Sequence, residues 1–189
     1  MIRVLKRKLV KNTDELFGME RGIVTYINPF SYLKLRKKID LQTFDHITSD
    51  GIIIKKLSGI FLKKSVQRLS PDFSSYFNEL FKQMSAAKTT VYFVGTLPSL
   101  IELSIQNIKN KFPSLNIVGY RHGYFEKKEE IEIHIKEVLD LDPDIIIVGM
   151  GSPLQEEYLI KLKGAGWHGR GYACGGFLHQ SSKKADYYP

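Results

Sequence analysis

The sequence predicts an α/β protein with a three-layer, Rossmann-like fold, a mostly parallel sheet and a single domain over residues 1–189. Short β-branched runs that end in glycine alternate with segments of helical period, which is typical of a strand–helix repeat. The runs are apolar throughout, as strands are when a parallel sheet is covered on both faces. No Pro-, Gly- or Ser-rich linker divides the 189 residues, which suffice for one hydrophobic core.

The second half of the chain shows this repeat most regularly. Strands are predicted over residues 91–94, 116–118, 144–148 and 171–174, with helices from residue 101, over 128–141 and from near residue 153. Each strand leads into a glycine, and the four are Gly95, Gly119, Gly149 and Gly175. Because parallel sheets bind ligands at the carboxyl ends of their strands, these turns mark the predicted site.

The first half reads less regularly. Strands are predicted over residues 22–27 and 44–47, a basic helix over 29–38 and a second helix over 52–62. A further helix is predicted from an apolar stripe that we expect to face the core, formed by Phe73, Phe77, Leu80, Phe81 and Met84.

Composition narrows the class of function. One cysteine, Cys174, excludes an internal disulfide framework and a cysteine-based zinc site, and the five histidines lack metal-ligand spacing, so we predict no metal. No segment approaches the roughly 20 apolar residues of a spanning helix. The net charge of +8 favours an anionic partner: nucleic acid, nucleotide phosphate or an acidic membrane surface. No aromatic-interleaved basic motif indicates nucleic acid, so we expect no nucleic-acid partner, and polyanion binding is kept only as a weak alternative. We expect a cytoplasmic protein.

A helix start after the predicted strand 144–148 could bind phosphate. Ser152, Pro153 and Gln155 fit an N-cap, a first helical residue and the third position of a capping box. Free backbone N–H groups there would favour an anion, and Glu156 adds a further polar group. A plain helix start remains the alternative. Gly149-Met-Gly151 lacks the last glycine of a dinucleotide fingerprint, since residue 154 is leucine, so we expect no such cofactor.

Three other polar residues are candidates, each with an ordinary alternative. Asp50, before Gly51, is either a turn residue or a general base at a strand end. His122 could bind phosphate or stack in a loop. His179 could lie exposed at the surface.

Two longer segments give the sequence a family resemblance. They are Ile117-Val-Gly-Tyr-Arg-His-Gly-Tyr-Phe125 and Val148-Gly-Met-Gly-Ser-Pro-Leu-Gln-Glu156. With Asn28-Pro29, Asp50-Gly51, Arg68 and Gly175-Gly176, they resemble, in order, the motifs of the WecG/TagA/CpsF glycosyltransferases, glycosyltransferase family 26.

The resemblance implies an inverting, metal-independent enzyme without a cofactor. It would transfer a sugar, N-acetylmannosamine-type or hexose, from a UDP-sugar donor to a lipid-linked (polyprenyl diphosphate) acceptor in polysaccharide or teichoic acid biosynthesis. It implies Asp50 as the general base, with Arg68 and Gln155 lining the pocket. The predicted catalytic residues are Asp50 and Arg68, and the predicted substrate-binding residues are Thr25, Tyr26, Asn28, Gly95, His122, Gly149, Gly151, Ser152, Gln155, Glu156, Gly175 and Gly176.

Some positions depart from the family pattern. Tyr26 stands where many members have threonine, the segment Arg68–Asp72 is short, and Leu178-His179 replaces Phe-Asp. The family's basic C-terminal appendage is expected to be absent, because the sequence stops at Pro189. A catalytically weak nucleotide-sugar or anion-binding module therefore remains the alternative. We also expect peripheral contact with an anionic membrane at the inner face of the cell membrane, with a homo-oligomer left open.

Overall fold

Six parallel strands form the central layer of the computed structural model, which describes residues 2–183. They are β1 (Gly22–Ile27), β2 (His46–Ser49), β3 (Thr90–Gly95), β4 (Asn116–Arg121), β5 (Ile145–Gly149) and β6 (Arg170–Ala173). Their order across the sheet is β2-β1-β6-β5-β3-β4, and each neighbouring pair is parallel. The α/β, Rossmann-like prediction is confirmed.

Helices cover both faces of the sheet. Within the described range they are α1 (Ile2–Lys8), α2 (Thr13–Phe17), α3 (Pro29–Lys38), α4 (Ile52–Leu62), α5 (Tyr76–Ala87), α6 (Ile101–Lys111), α7 (Lys128–Leu141), α8 (Leu154–Gly164) and α9 (Phe177–Lys183). The predicted bounds of α3, α4 and α7 are confirmed. The α3 helix starts sharply because Asn28 and Ser31 cap each other's backbone N–H groups.

Alternate residues of one strand enter two different apolar layers. Ile145 and Ile147 of β5 pack in a core with residues of α2, α5, α6 and α9. Ile146 and Val148 pack on the other face, with residues of α1, α3, α7 and α8. All four side chains are fully buried, which explains why the strand is apolar throughout.

An aromatic cluster fills the first of these layers. Phe77, fully buried, lies 5.0 Å from Phe177 and 5.5 Å from Phe81, measured between ring centroids. Phe73 joins the cluster 4.9 Å from Phe177. The expected core stripe is confirmed, but Phe73 precedes α5 rather than lying in it, so it contacts the cluster from a turn.

Two predicted strands differ in their bounds from the structure by more than one residue. The second strand covers 46–49 rather than 44–47, because its pairing with β1 begins at Val24 and His46 and leaves Phe44 to fill the core. The strand predicted over 116–118 continues to Arg121, which pairs with Val94. The helices α1, α2 and α9 were not predicted from the sequence.

No helix between residues 2 and 183 combines the length and hydropathy that a membrane span requires. The final segment of the sequence, residues 184–189, lies outside the described residues.

Replacing Phe77 with alanine tests the aromatic core. Because Phe77 is fully buried among other rings, Phe77→Ala should lower the free energy of unfolding by about 3–5 kcal/mol. Leu103→Ala, at a side chain 43% exposed on α6, should lower it by less than about 1 kcal/mol. Urea unfolding measures both, and equal losses would contradict this packing.

Candidate active site

A cavity of about 610 Å³ opens at the carboxyl edge of the sheet, where β1, β3, β5 and β6 end. Its wall includes seven of the predicted substrate-binding residues: Tyr26, Asn28, Gly149, Gly151, Ser152, Gly175 and Gly176. The predicted location of the site at the strand ends therefore coincides with a cavity that these strand ends form.

Asp50 is not one of the residues that line this cavity. It lies at the rim, beside the lining residue Asn28, and is held by two side chains. The Asn28 side-chain amide donates to Asp50 Oδ2 at 3.1 Å, and the Ser70 hydroxyl donates to Oδ1 at 2.6 Å. The backbone N–H of Asp50 donates to the Ile27 carbonyl at 2.9 Å. Both carboxylate oxygens are oriented by a single hydrogen bond each, which leaves lone pairs for a substrate proton.

Asn28 can hold Asp50 because the oxygen and the nitrogen of its side-chain amide have different partners. Its side-chain oxygen accepts the Ser31 backbone N–H at 2.8 Å and so caps α3. The amide nitrogen at the other end is then directed to Asp50. The helix start after β1 thus fixes the carboxylate after β2.

Glu156 is the centre of a buried polar network behind the cavity wall. Its Oε1 accepts hydrogen bonds from Thr25 at 2.8 Å, Gln155 at 2.9 Å and Ser152 at 3.0 Å. Its Oε2 is buried without a hydrogen-bond partner. Burial raises the pKa of the Glu156 carboxyl, and the donated hydrogen bonds oppose this only in part.

The same network fixes Gln155 and, through it, the turn after β6. The Gln155 side-chain oxygen accepts the Gly175 backbone N–H at 3.0 Å, and its amide contacts Ser152 at 3.3 Å. Gln155 is fully buried and therefore supports the wall. A Cβ on Gly175, whose φ is +56°, would collide with the Tyr26 hydroxyl.

Tyr26 is enclosed between these groups at the end of β1. Burial raises the pKa of its hydroxyl above the ordinary value, with nearby Glu156 adding to the rise. The hydroxyl also hydrogen-bonds Gln155. Tyr26 therefore enters the cavity wall as a neutral hydrogen-bonding group.

The ends of β3 and β5 meet closely on the opposite wall. A Cβ on Gly95, at φ +153°, would overlap the Gly149 carbonyl, so only glycine lets β3 and β5 end side by side. Thr96 then donates its backbone N–H to that carbonyl at 3.1 Å. Its hydroxyl lies 3.3 Å from His179 Nδ1, which brings α9 into the wall.

The loop after β4 closes the remaining side. Gly123, Tyr124 and Phe125 line the cavity, while His122 lies just before them and its Nδ1 accepts the Tyr124 N–H at 3.3 Å. The Arg121 guanidinium lies 3.9 Å from the centroid of the Phe125 ring.

A buried histidine side chain packs beneath this loop. His134 lies 3.0 Å from the Tyr92 hydroxyl and 3.1 Å from that of Tyr158, and its ring is near Phe125. Burial, with Arg121 and His122 nearby, lowers the pKa of His134 to about 4. The histidine is therefore neutral at pH 7 and packs as part of the core.

The structure corrects the expected cap of α8. The helix begins at Leu154 with Pro153 as N-cap, and no side chain caps it. The Ser152 hydroxyl donates instead to Glu156, so the predicted capping box does not form. Ser152 and Leu154 still line the cavity, which places the positive end of the helix dipole beside it.

Arg68 does not reach the cavity wall. Its guanidinium is 3.9 Å from Asp72, and its side chain is 41% exposed. Its neighbour Leu69 donates a backbone N–H to Ser49 at 2.8 Å, so the segment runs beside the end of β2.

Several wall residues were not predicted. Phe30 and Lys34 come from α3, and Thr96 and Leu97 follow β3. His179 of α9, a candidate to which the sequence assigned no role, also lines the cavity. Ser70, which orients Asp50, was also missed. Within residues 2–183, no group of three or more His, Cys, Asp or Glu residues is arranged to hold a metal ion.

Together, the parallel sheet, the strand-end cavity and the oriented carboxylate define an α/β protein with a candidate binding site and a candidate base at its rim. Comparison with known proteins identifies its family. The glycosyl transferase WecG/TagA/CpsF family profile matches residues 4–189, so the chain belongs to this family of glycosyltransferases.

Named relatives agree with this assignment. The chain is 32% identical over 185 residues to the UDP-Gal:alpha-D-GlcNAc-diphosphoundecaprenol beta-1,4-galactosyltransferase of Shigella boydii, covering 95% of this chain and 78% of the relative. It is 28% identical over 123 residues to an N-acetylglucosaminyldiphosphoundecaprenol N-acetyl-beta-D-mannosaminyltransferase of Bacillus spizizenii, covering 65% and 46%. For the Bacillus subtilis protein of the same name the identity is 25% over 144 residues, covering 73% and 54%.

Glu156→Gln tests the protonation of the buried network. Well below the ordinary pKa of glutamate, the carboxyl is protonated in both the folded and unfolded states. As pH rises, the unfolded state loses its proton first because the folded pKa is raised, so the carboxyl makes folding less favourable. Glutamine loses no proton. Urea unfolding between about pH 5 and 8 should therefore show the stability of E156Q rising relative to wild type.

The exposed neighbour Glu157 provides the control. Glu157→Gln makes the same chemical change outside the network and should follow the wild-type pH profile. A pH profile for E156Q that also parallels wild type would contradict the raised pKa.

Proposed function

We propose that this protein is an inverting glycosyltransferase that moves a hexose or N-acetylmannosamine-type sugar from a UDP-sugar to an acceptor sugar on a polyprenyl diphosphate. The observation that carries the proposal is Asp50, whose two carboxylate oxygens are oriented by Asn28 and Ser70 at the rim of the strand-end cavity. The proposed setting is peripheral, at the inner face of the cell membrane.

The chemistry needs one base and a place for a departing diphosphate. An acceptor hydroxyl attacks the anomeric carbon opposite the diphosphate, and Asp50 takes the hydroxyl proton as the new C–O bond forms. The bond from the anomeric carbon to the diphosphate oxygen breaks, and UDP leaves with that electron pair. The configuration at the anomeric carbon inverts.

Two features of the cavity suit the UDP-sugar. The start of α8 and the Lys34 ammonium present positive electrostatic potential to a diphosphate. Phe30 and Tyr124, at side chains 67% and 58% exposed, offer aromatic faces to a base or a sugar ring. These groups would bind the donor without a metal ion, so activity is expected to persist in EDTA.

The names of the relatives support the acceptor class. The Shigella and Bacillus enzymes are each named for an acceptor sugar carried on diphosphoundecaprenol. Their donor sugars differ, which is why we propose the acceptor class here and leave the donor between a hexose and an N-acetylmannosamine-type sugar.

A second candidate function is a nucleotide-sugar or anion-binding module with weak catalysis. The observation that favours it is the position of Arg68, which is paired with Asp72 outside the cavity wall. Lys34 is the one Lys or Arg side chain of the described wall. On this view the protein would bind UDP but transfer little sugar.

Asp50→Asn separates the two candidates. Asparagine keeps the size and the hydrogen bond to Ser70 but cannot take a proton, so kcat should fall about 10²–10⁴-fold. UDP binding, measured by thermal shift, should stay at the wild-type level. Transfer would be assayed from UDP-galactose and UDP-N-acetylmannosamine to polyprenyl diphosphate-linked N-acetylglucosamine, with and without EDTA.

Asp142→Asn is the matched control, because Asp142 is exposed and lies at the end of α7, before β5, at the opposite edge of the sheet. It should transfer sugar at the wild-type rate. If wild type binds UDP but transfers negligible sugar, and D50N behaves in the same way, the protein is a binding module and the transferase proposal is wrong.

A further inference from the structure

Charge is distributed unevenly over the surface. Helices α1, α3 and α4, with Lys63 and Lys64, form a set of 30 residues that holds 12 of the 28 basic residues and none of the 20 acidic ones. The rest of the chain holds 16 basic residues against 20 acidic ones. The positive net charge of the protein therefore comes from this one set, which we call the basic face.

The basic face also exposes large apolar side chains. On α4, Ile60 is 71% exposed, Phe61 69%, Ile52 63% and Ile53 58%. Only a narrow stripe of this helix, at 54, 58 and 62, faces the protein. A helix that turns apolar residues and lysines together toward solvent is suited to a lipid interface, where apolar groups insert and ammonium groups stay at the headgroups.

An apolar groove of about 300 Å³ lies where the three helices meet. It is lined by Leu5 of α1, Tyr32 of α3 and by Ile54 and Phe61 of α4, with Ile27 at the end of β1. Among the lining groups only Tyr32 and Ser58 carry polar side-chain atoms. A groove of this chemistry accepts hydrocarbon.

The groove adjoins the candidate active site. Ile27, which lines it, accepts the backbone N–H of Asp50, and Gly51 leads directly from Asp50 into α4. On α3, Tyr32 lines the groove while Ser31 lines the strand-end cavity. A bilayer on the basic face would therefore lie beside the rim that carries the candidate base.

We propose that the basic face docks on an anionic lipid bilayer, with Ile60 and Phe61 inserted among the lipids and a lipid hydrocarbon chain entering the groove. The proposal rests on the proposed function, since it names the surface through which a lipid-linked acceptor is reached. Charge complementarity selects the partner: the face is wholly cationic, and inner-leaflet lipids are anionic.

Vesicle sedimentation of the full chain, without any sugar nucleotide, tests the docking. Binding to phosphatidylcholine vesicles containing about 30% phosphatidylglycerol should exceed binding to pure phosphatidylcholine by about tenfold or more, and should weaken with salt. The double variant Ile60→Asp with Phe61→Asp should lose about tenfold of this binding. Lys55→Glu with Lys56→Glu should lose a similar amount through charge alone.

Matched controls make the same chemical changes elsewhere. Leu103→Asp with Ile133→Asp places two acids at exposed apolar positions of α6 and α7, and Lys82→Glu with Lys136→Glu reverses two exposed lysines of α5 and α7. Both should bind vesicles within about twofold of wild type after allowance for net charge. Docking variants that bind like these controls, or equal binding to neutral and anionic vesicles, would overturn the proposal.

Two further measurements separate this proposal from its alternatives. If the face instead pairs two copies of the chain, sedimentation velocity will show a wild-type dimer that I60D/F61D dissociates, without selective vesicle binding, and the membrane proposal is wrong. Asp50→Asn should bind vesicles as wild type does. Vesicle binding therefore tests the docking surface even if the transferase proposal is wrong. The docking variants should keep UDP binding in solution, which shows that they fold.

Discussion

The geometry of the candidate site depends on the carboxyl group of Glu156. Its single bonded oxygen collects hydrogen bonds from Thr25 on β1, from Ser152 in the turn after β5 and from Gln155 on α8. Gln155 then accepts the backbone N–H of Gly175, after β6. One buried acid thus joins the ends of three neighbouring strands, and the cavity wall keeps its shape because this junction is shared.

Burying a carboxyl group at this junction costs folding free energy. The unpaired Oε2 of Glu156 and the raised pKa of the carboxyl show that burial here is only partly compensated. An apolar residue would pack at lower cost but could not orient Gln155 or Ser152. Backbone approach adds a second constraint, since Gly95 and Gly175 permit contacts that a Cβ would block.

The features that the sequence predicts correctly depend on residues that lie close together in the chain. The bounds of α3 and α4 come from caps and breaks beside them in the chain, and the strand-end glycines mark the cavity because parallel strands end at one edge. The predicted cap of α8 failed for a long-range reason, because the Ser152 hydroxyl is bound by the Glu156 network. Ser70 was missed and His179 was assigned no role for the same reason, because their partners Asp50 and Thr96 lie 20 and 83 residues away in the chain.

Helix α3 places two different environments on either side of one wall. Phe30, Ser31 and Lys34 line the strand-end cavity, whose wall combines apolar with polar and charged groups, whereas Tyr32 lines the apolar groove. The N-cap of the same helix, Asn28, orients Asp50, so the candidate base lies at the boundary between the two. An acceptor with a polar sugar diphosphate head and a hydrocarbon tail has the same two-part character. Under the proposed function, its reacting hydroxyl would meet Asp50 at this boundary, with the donor in the cavity and the tail on the membrane side.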